Sequence, residues 1–134
     1  IFLPVQGRVL RAGGCQFVIQ GATNVLLIND GNGNFTDRSD LLPAFVEPTI
    51  HAAQVDIDGD GDIDLIAVNF GAASRIYLND GRGRFHDASV SLRDPPTCSL
   101  TGASAPIEIN GPPAIVFGGN YESRIYVQTH TPRP

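Results

Sequence analysis

Short apolar runs, two to four residues long and separated by glycine-rich polar segments, recur along the chain. Leu65-Ile66-Ala67-Val68 and Arg75-Ile76-Tyr77-Leu78 are rich in β-branched and aromatic residues and too short for helices, so they predict strands. Phe70-Gly71-Ala72-Ala73 predicts the turn between them. Asn79-Asp80-Gly81-Arg82-Gly83 has hairpin chemistry, because Asn, Asp and Gly tolerate the positive φ of a tight reversal. A fourth strand is expected from Arg84-Phe85, and Ala52-Ala53-Gln54-Val55 supplies the first.

This pattern repeats. Residues 24–37 read NVLLINDGNGNFTD and residues 74–87 read SRIYLNDGRGRFHD; a third copy opens at Ser123 with SRIYVQT. FVIQGAT (17–23), AVNFGAA (67–73) and VFGGNYE (116–122) hold corresponding places upstream. The unit is about 50 residues long, a period typical of propellers, solenoids or arrays. Four antiparallel strands per unit of that length make a propeller blade. The expected fold is all-β, built of antiparallel four-stranded propeller-type blades. Residues 1–134 are expected to form a single β-repeat domain of about two and three-quarter repeats. Their spans are about 1–50, about 51–99 and a truncated third of about 100–130. Phe35 and Phe85 are expected to pack between blades.

Composition narrows the function. The chain is 42% hydrophobic and 17% charged, which is globular and not disordered. The net charge of −5 equals the five carboxylates of one stretch, Asp56 to Asp64, DIDGDGDID. The acidity therefore belongs to a site. No basic cluster exists, which argues against nucleic acid as a partner, and no apolar run approaches the roughly 20 residues of a membrane span. The chain contains no Met, even at position 1, so a processed product or a fragment is expected, with any signal peptide already removed.

Five aspartates in nine residues repel one another, and a folded chain carries them where something offsets that repulsion. Alternate positions of a tight loop (Asp56, Asp58, Asp60 and Asp64) converge their carboxylates if the backbone wraps around a point, and Gly59 and Gly61 permit the wrapping. Oxygen ligands in this number suit Ca2+, which takes six to eight in a flexible shell, better than Mg2+, which keeps its waters. A zinc site wants His or Cys, and none is local. An EF-hand needs a Glu at its twelfth position, where this chain has Ala67 in a strand-like run. The loop closes instead at Asp64, as D-x-D-x-D-G-x-x-D, with the Asp62 main-chain carbonyl as a further ligand.

The combination of DIDGDGDIDL, AVNFG and YLNDGRGRFHD resembles the FG-GAP/VCBS repeats of integrin-α-type β-propellers. FTDRS followed by LLP and an acidic loop is similar to secreted proteins that resemble cartilage acidic protein. The resemblance implies calcium bound by Asp56, Asp58, Asp60 and Asp64 and the Asp62 carbonyl, in the loop joining a blade's first two strands. Repeat one has Gln6, Arg8, Leu10 and Gly14 at the ligand places, and repeat three has Ala105, Ile107, Ile109 and Pro113. One such site is therefore expected, not three.

The remaining chemistry is sparse. Cys15 and Cys98 are too far apart for a CxxC motif and are either two buried thiols or a disulfide, the latter favoured by the extracellular character the resemblance implies. His51, His86 and His130 stand beside no nucleophile motif, so no catalytic activity is expected. Asn34-Phe35-Thr36 fits the N-glycosylation sequon. The third copy lacks its hairpin and fourth strand, while Ile1–Val5 is an apolar segment outside the repeat frame. That segment is expected to pair beside Arg124–Gln128 of a neighbouring chain, giving a ring or filament, or else to pack within its own chain. The functional expectation is a secreted, calcium-binding, non-enzymatic module for structure, adhesion or self-assembly, partnered by copies of itself or further repeats and by a protein or glycan ligand. The alternatives are a carbohydrate-binding module, for which Tyr77, Tyr121 and Tyr126 are the aromatic candidates, and an accessory repeat segment of a larger secreted protein.

Overall fold

The computed structural model describes residues 2–3, 6–10, 18–93, 95, 99–106, 113–119 and 123–127. Among them the chain is all-β and antiparallel, with two single-turn 3-10 segments, Ser39–Leu41 and Ser89–Ser91. Cys15, Cys98, Tyr121 and His130 lie outside the described residues, and so do Ile107 and Ile109.

Repeat one contributes β1 (Phe2–Leu3), β2 (Gln6–Leu10), β3 (Val18–Thr23), β4 (Val25–Asn29), β5 (Phe35–Asp37) and β6 (Val46–Glu47). Repeat two contributes β7 (Thr49–Val55), β8 (Asp64–Asn69), β9 (Arg75–Asn79) and β10 (Phe85–Asp87). Repeat three contributes β11 (Ser99–Pro106), β12 (Pro113–Gly119) and β13 (Ser123–Tyr126).

Repeat two is the four-stranded blade that the sequence pattern predicts, with strand order β10-β9-β8-β7 and register Val55↔Asp64, Leu65↔Tyr77 and Asn79↔Phe85. All of β8 is buried, as expected of a central strand covered on both faces. Alternation divides its side chains. Ile66 and Val68 join Ile57, Ile76 and Leu92 of the same repeat and Ile115 and Phe117 of repeat three in one cluster. Leu65 and Ala67 pack with Tyr77 on the other face, against Leu42 and Phe45 from the end of repeat one and against Phe85. The blade's two faces thus hold its two neighbours.

The other repeats depart from that plan. Among the described residues, repeat three forms a three-stranded sheet, β11-β12-β13. Repeat one divides into two, β1-β4-β5 and β2-β3-β6. In repeat two Gly71 turns the chain at φ 86°, whereas the matching Gly21 stays in β3, which runs on to Thr23 and pairs with β6. The place beside β4 that β3 would take in a regular blade is filled by β1, through Phe2↔Leu26 and Leu3↔Val25. The expectation that the Ile1–Val5 segment pairs with a neighbouring chain is therefore corrected for Phe2 and Leu3. Phe35 is a second correction. Phe85 packs on the Leu65–Ala67–Tyr77 cluster, but Phe35 is exposed, and the strand beyond its hairpin is β1 and not the counterpart of β8.

The same local chemistry ties down both hairpins. Asp87 Oδ1 accepts the Ser89 N–H and hydroxyl, and the Ser89 hydroxyl oxygen accepts the Ile76 N–H at 3.0 Å. Asp37 and Ser39 do the same for Leu26, at 3.1 Å. Gly31, Gly33, Gly81 and Gly83 all take positive φ in the turns, as the sequence requires.

A buried polar network joins repeats one and two. Glu47 is 5% exposed and accepts hydrogen bonds from Arg75 Nε, from Asn69 Nδ2 at 3.2 Å and from the Tyr77 hydroxyl at 3.2 Å. Arg75 also bonds Asp87 at 2.8 Å and lies over the Phe45 ring, 3.9 Å from its centroid. Burial works against the guanidinium charge, but Glu47 and Asp87 outweigh it and hold the group protonated. Burial, with Glu47 beside it, pushes the Tyr77 phenol far up, so it stays a neutral donor. Asn24 donates to Thr49 at 3.0 Å and Thr49 to Asn69 at 2.8 Å, extending the network across the junction.

The junction between repeats two and three depends on close approach. A Cβ built on Gly102 of β11 falls 2.7 Å from Val68 Cγ2 and 3.6 Å from Ile66 Cγ2. Gly102→Ala is therefore expected to destabilise the protein by about 1 to 3 kcal/mol, although Ala loses less backbone entropy than Gly. Urea unfolding of the two proteins measures the difference; a variant as stable as its parent contradicts the tight junction.

Candidate metal centre

The acidic loop spans Asp56 to Ile63, between β7 and β8, and its carboxylates organise it. Asp56 accepts the N–H groups of Gly59 at 2.7 Å and Gly61 at 3.0 Å. Asp58 accepts the Asp60 N–H at 3.3 Å, and Asp60 accepts the Asp62 N–H at 2.9 Å. Such a succession of side-chain turns needs left-handed backbone at intervals, and Gly59 (φ 81°) and Gly61 (φ 95°) supply it.

Asp64 is placed differently. It opens β8, is fully buried, and accepts the Ile57 N–H at 2.7 Å and the Asn79 N–H at 2.8 Å. Burial raises its pKa above the ordinary carboxylate value, the charges of Asp58 and Asp60 add to the rise, and the two N–H groups oppose it. The Asn79 hairpin also buttresses the loop from outside: Asn79 Nδ2 donates to the Ile63 carbonyl at 3.1 Å, and the Asp62 carboxylate sits over Gly81.

The structure brings together three of the five aspartates singled out in the sequence. One carboxylate oxygen from each of Asp56, Asp58 and Asp64 lies within 4.8 Å of the others. Two oxygens bound to one Ca2+ at about 2.3 to 2.6 Å stand at most about 5 Å apart, so the spacing fits a single cation. Asp60 and Asp62 are not in this group. Asp60 is exposed, and the Asp62 side chain leans towards Gly81. No Arg or Lys forms an ion pair with any of the five among the described residues. An all-oxygen donor set with one buried carboxylate and no basic partner is the chemistry of a hard-cation site.

The matching positions in the flanking repeats are built otherwise. Gln6, Arg8 and Leu10 lie in β2, a strand where repeat two has its loop; Ala105 lies in β11 and Pro113 in β12. His51 lies in β7 and His86 in β10, away from the aspartate cluster. Asn34 is exposed at the first hairpin, where its Nδ2 donates to Asp30 at 2.8 Å. The sequence pattern marks Asn79 only as a hairpin residue, not as a partner of the acidic loop, and does not mark Glu47. The signal for Asn79 was present in the fixed spacing of the NDG hairpin after the loop, whereas no local pattern marks Glu47.

The family model of the FG-GAP-like repeat matches residues 17–67 and 56–111. The chain belongs to the FG-GAP-like repeat family, whose repeats are propeller blades and are typical of extracellular proteins. No curated protein and no solved structure gives a match to the chain.

The raised pKa of Asp64 fixes the sign of a pH effect in the metal-free protein. The fold holds the Asp64 proton more tightly than the unfolded chain does. Its stabilising contribution is thus complete below the ordinary carboxylate pKa of 3.8 and lost as pH rises through the higher folded value. NMR titration of the Asp64 carboxyl in chelator should give a midpoint above 3.8. A midpoint at or below that value contradicts this account of the site.

Proposed function

We propose that the chain is a calcium-stabilised, non-enzymatic β-repeat module of extracellular proteins, acting as a scaffold that associates with other repeats of the same kind. The convergence of Asp56, Asp58 and Asp64 carries the reading. Asp64 supplies a buried, pre-oriented oxygen, Asp56 and Asp58 close over it, and the Asp60 carboxylate and Asp62 carbonyl complete the shell as the loop tightens. Calcium supplies positive charge there and nothing else. We take the 134 residues as one β-repeat domain with a single calcium loop.

Association with further repeats is supported by two residues of repeat three. Ile125 holds the place in β13 that Ile76 holds in β9. Ile76 is covered in the cluster shared with Leu92 and Ile115, whereas Ile125 is 65% exposed and the following Val127 60%. Both side chains border the open groove that Ile57 and Ile76 also line, and another blade of the same kind, from this chain or a second copy, matches the apolar surface left exposed there. No helix among the described residues is long and apolar enough to cross a membrane. The carbohydrate-binding alternative loses its best-placed aromatic, since Tyr77 is buried with its hydroxyl committed to Glu47.

A cation that binds the folded loop and not the unfolded chain stabilises by mass action, by about 2.7 kcal/mol at a hundred times its Kd. Calcium should therefore raise the Tm and chelator lower it. Asp58→Asn, which touches a carboxylate whose hydrogen bond among the described residues lies within the loop, should remove most of that dependence while leaving the metal-free Tm no lower than the parent's, because it relieves repulsion with Asp56 and Asp64. A Tm indifferent to calcium in the parent protein counts against the reading.

A further inference from the structure

The loop contains two apolar side chains, and they have opposite fates. Ile63 is 51% exposed, whereas Ile57, between Asp56 and Asp58, is 5% exposed. Chelation by the flanking carboxylates places no demand on the side chain at 57. Its burial serves another purpose: Ile57 belongs to the cluster in which Ile66, Ile76 and Leu92 of repeat two meet Ile115 and Phe117 of repeat three. It also lines a groove of about 730 Å3 between the two repeats, together with Ile76, Leu92, Ile115 and Ile125.

We infer that the acidic loop governs the docking of repeat three on repeat two, with Ile57 as the linking residue. The inference rests on the calcium reading and adds what the ion regulates. Ile57 is held from both sides: its N–H bonds the buried Asp64, and its neighbours in sequence are two of the three clustered carboxylates. With a cation bound, Asp56, Asp58 and Asp64 are drawn together and Ile57 is fixed in the junction. Without it, their mutual repulsion spreads the loop and pulls on the one residue that is both loop and core. The groove makes the junction responsive, because part of the space between the repeats is not filled by side chains and each remaining contact counts for more. Thermodynamic linkage makes the effect reciprocal: a well-docked repeat three holds Ile57 in place and raises the loop's affinity for calcium.

The test combines calorimetric calcium titration with amide hydrogen exchange of β12, with calcium and with chelator, on the whole chain. Calcium is expected to slow β12 exchange about tenfold in the parent, within the usual range of coupling between sites. Ile63→Ala, at the exposed apolar position, should behave as the parent. Ile57→Ala should still bind calcium, more weakly, and should lose most of the slowing in β12; where it fails to fold, Ile57→Val serves the same comparison with a partial loss. Calcium binding with unchanged β12 exchange in the parent, or full slowing retained in the Ile57 variant, overturns the inference and leaves the calcium site standing. An absence of calcium binding in the parent overturns both.

Discussion

Asp64 is a carboxylate at the first position of β8, a strand buried along its whole length, and much else is arranged around holding it there. An ion of that kind, taken out of water, is strongly unfavourable unless its oxygens are satisfied and its charge is countered. Two backbone N–H groups meet the first need, one from Ile57 and one from Asn79. They come from the loop before β8 and the strand after it, so satisfying Asp64 fixes the relative positions of β7, β8 and β9. The second need is met by no Arg or Lys ion pair among the described residues, and the nearby carboxylates of Asp56 and Asp58 aggravate it. Asp64 is thus satisfied in its hydrogen bonds but uncountered in charge among the described residues, and its bonds to Ile57 and Asn79 tie the acidic loop and the central strand into one unit.

A second buried carboxylate, Glu47, is treated in the opposite way. The chain supplies its counter-charge itself, through Arg75, and adds donors from Asn69 and Tyr77. Glu47 comes from the end of repeat one and its partners from β8 and β9 of repeat two, so the network fixes one junction permanently. The junction on the other face has no such network among the described residues. It is an apolar cluster with a glycine at its point of closest approach and a groove beside it. Removing one partner from a buried ion pair strands the other, whereas an apolar contact is lost in small steps. The two faces of one blade therefore differ in kind: a rigid seam towards repeat one and an adjustable seam towards repeat three.

How much of this was legible beforehand follows from the range of the interactions. The strands and turns of repeat two were readable because each is set locally, by an apolar run or by glycines in a hairpin. Four carboxylates of the loop are expected from the sequence to converge; Asp56, Asp58 and Asp64 lie together and Asp60 does not, because alternation along a loop does not by itself fix where each side chain turns. Glu47 was not readable, since its partner Arg75 lies 28 positions away and no periodicity links them. The place of Phe35 departs from the expectation for a related reason. Its hairpin copies that of Phe85 residue for residue, but packing depends on the strand beyond, and in repeat one that place is taken by β1 instead of β3. The repeat frame specifies the hairpin, and the surrounding sheet specifies what the hairpin buries.

The same reasoning explains why repeat two alone combines the full blade with the acidic loop. A loop of repelling carboxylates is tolerable only where the strands on both sides are held by something else. β8 is covered on both faces, and β9 bonds Asp64 through the Asn79 N–H. In repeat one the matching stretch, Gln6 to Leu10, is a strand paired to β3 and carries no acidic residue. With no carboxylates to repel one another there, that stretch pairs as a strand, and β3 runs on to pair with β6. The loop sequence and the regularity of the blade depend on each other. The acidic loop requires a firm sheet around it, and β8, buried along its whole length, supplies one in the central repeat.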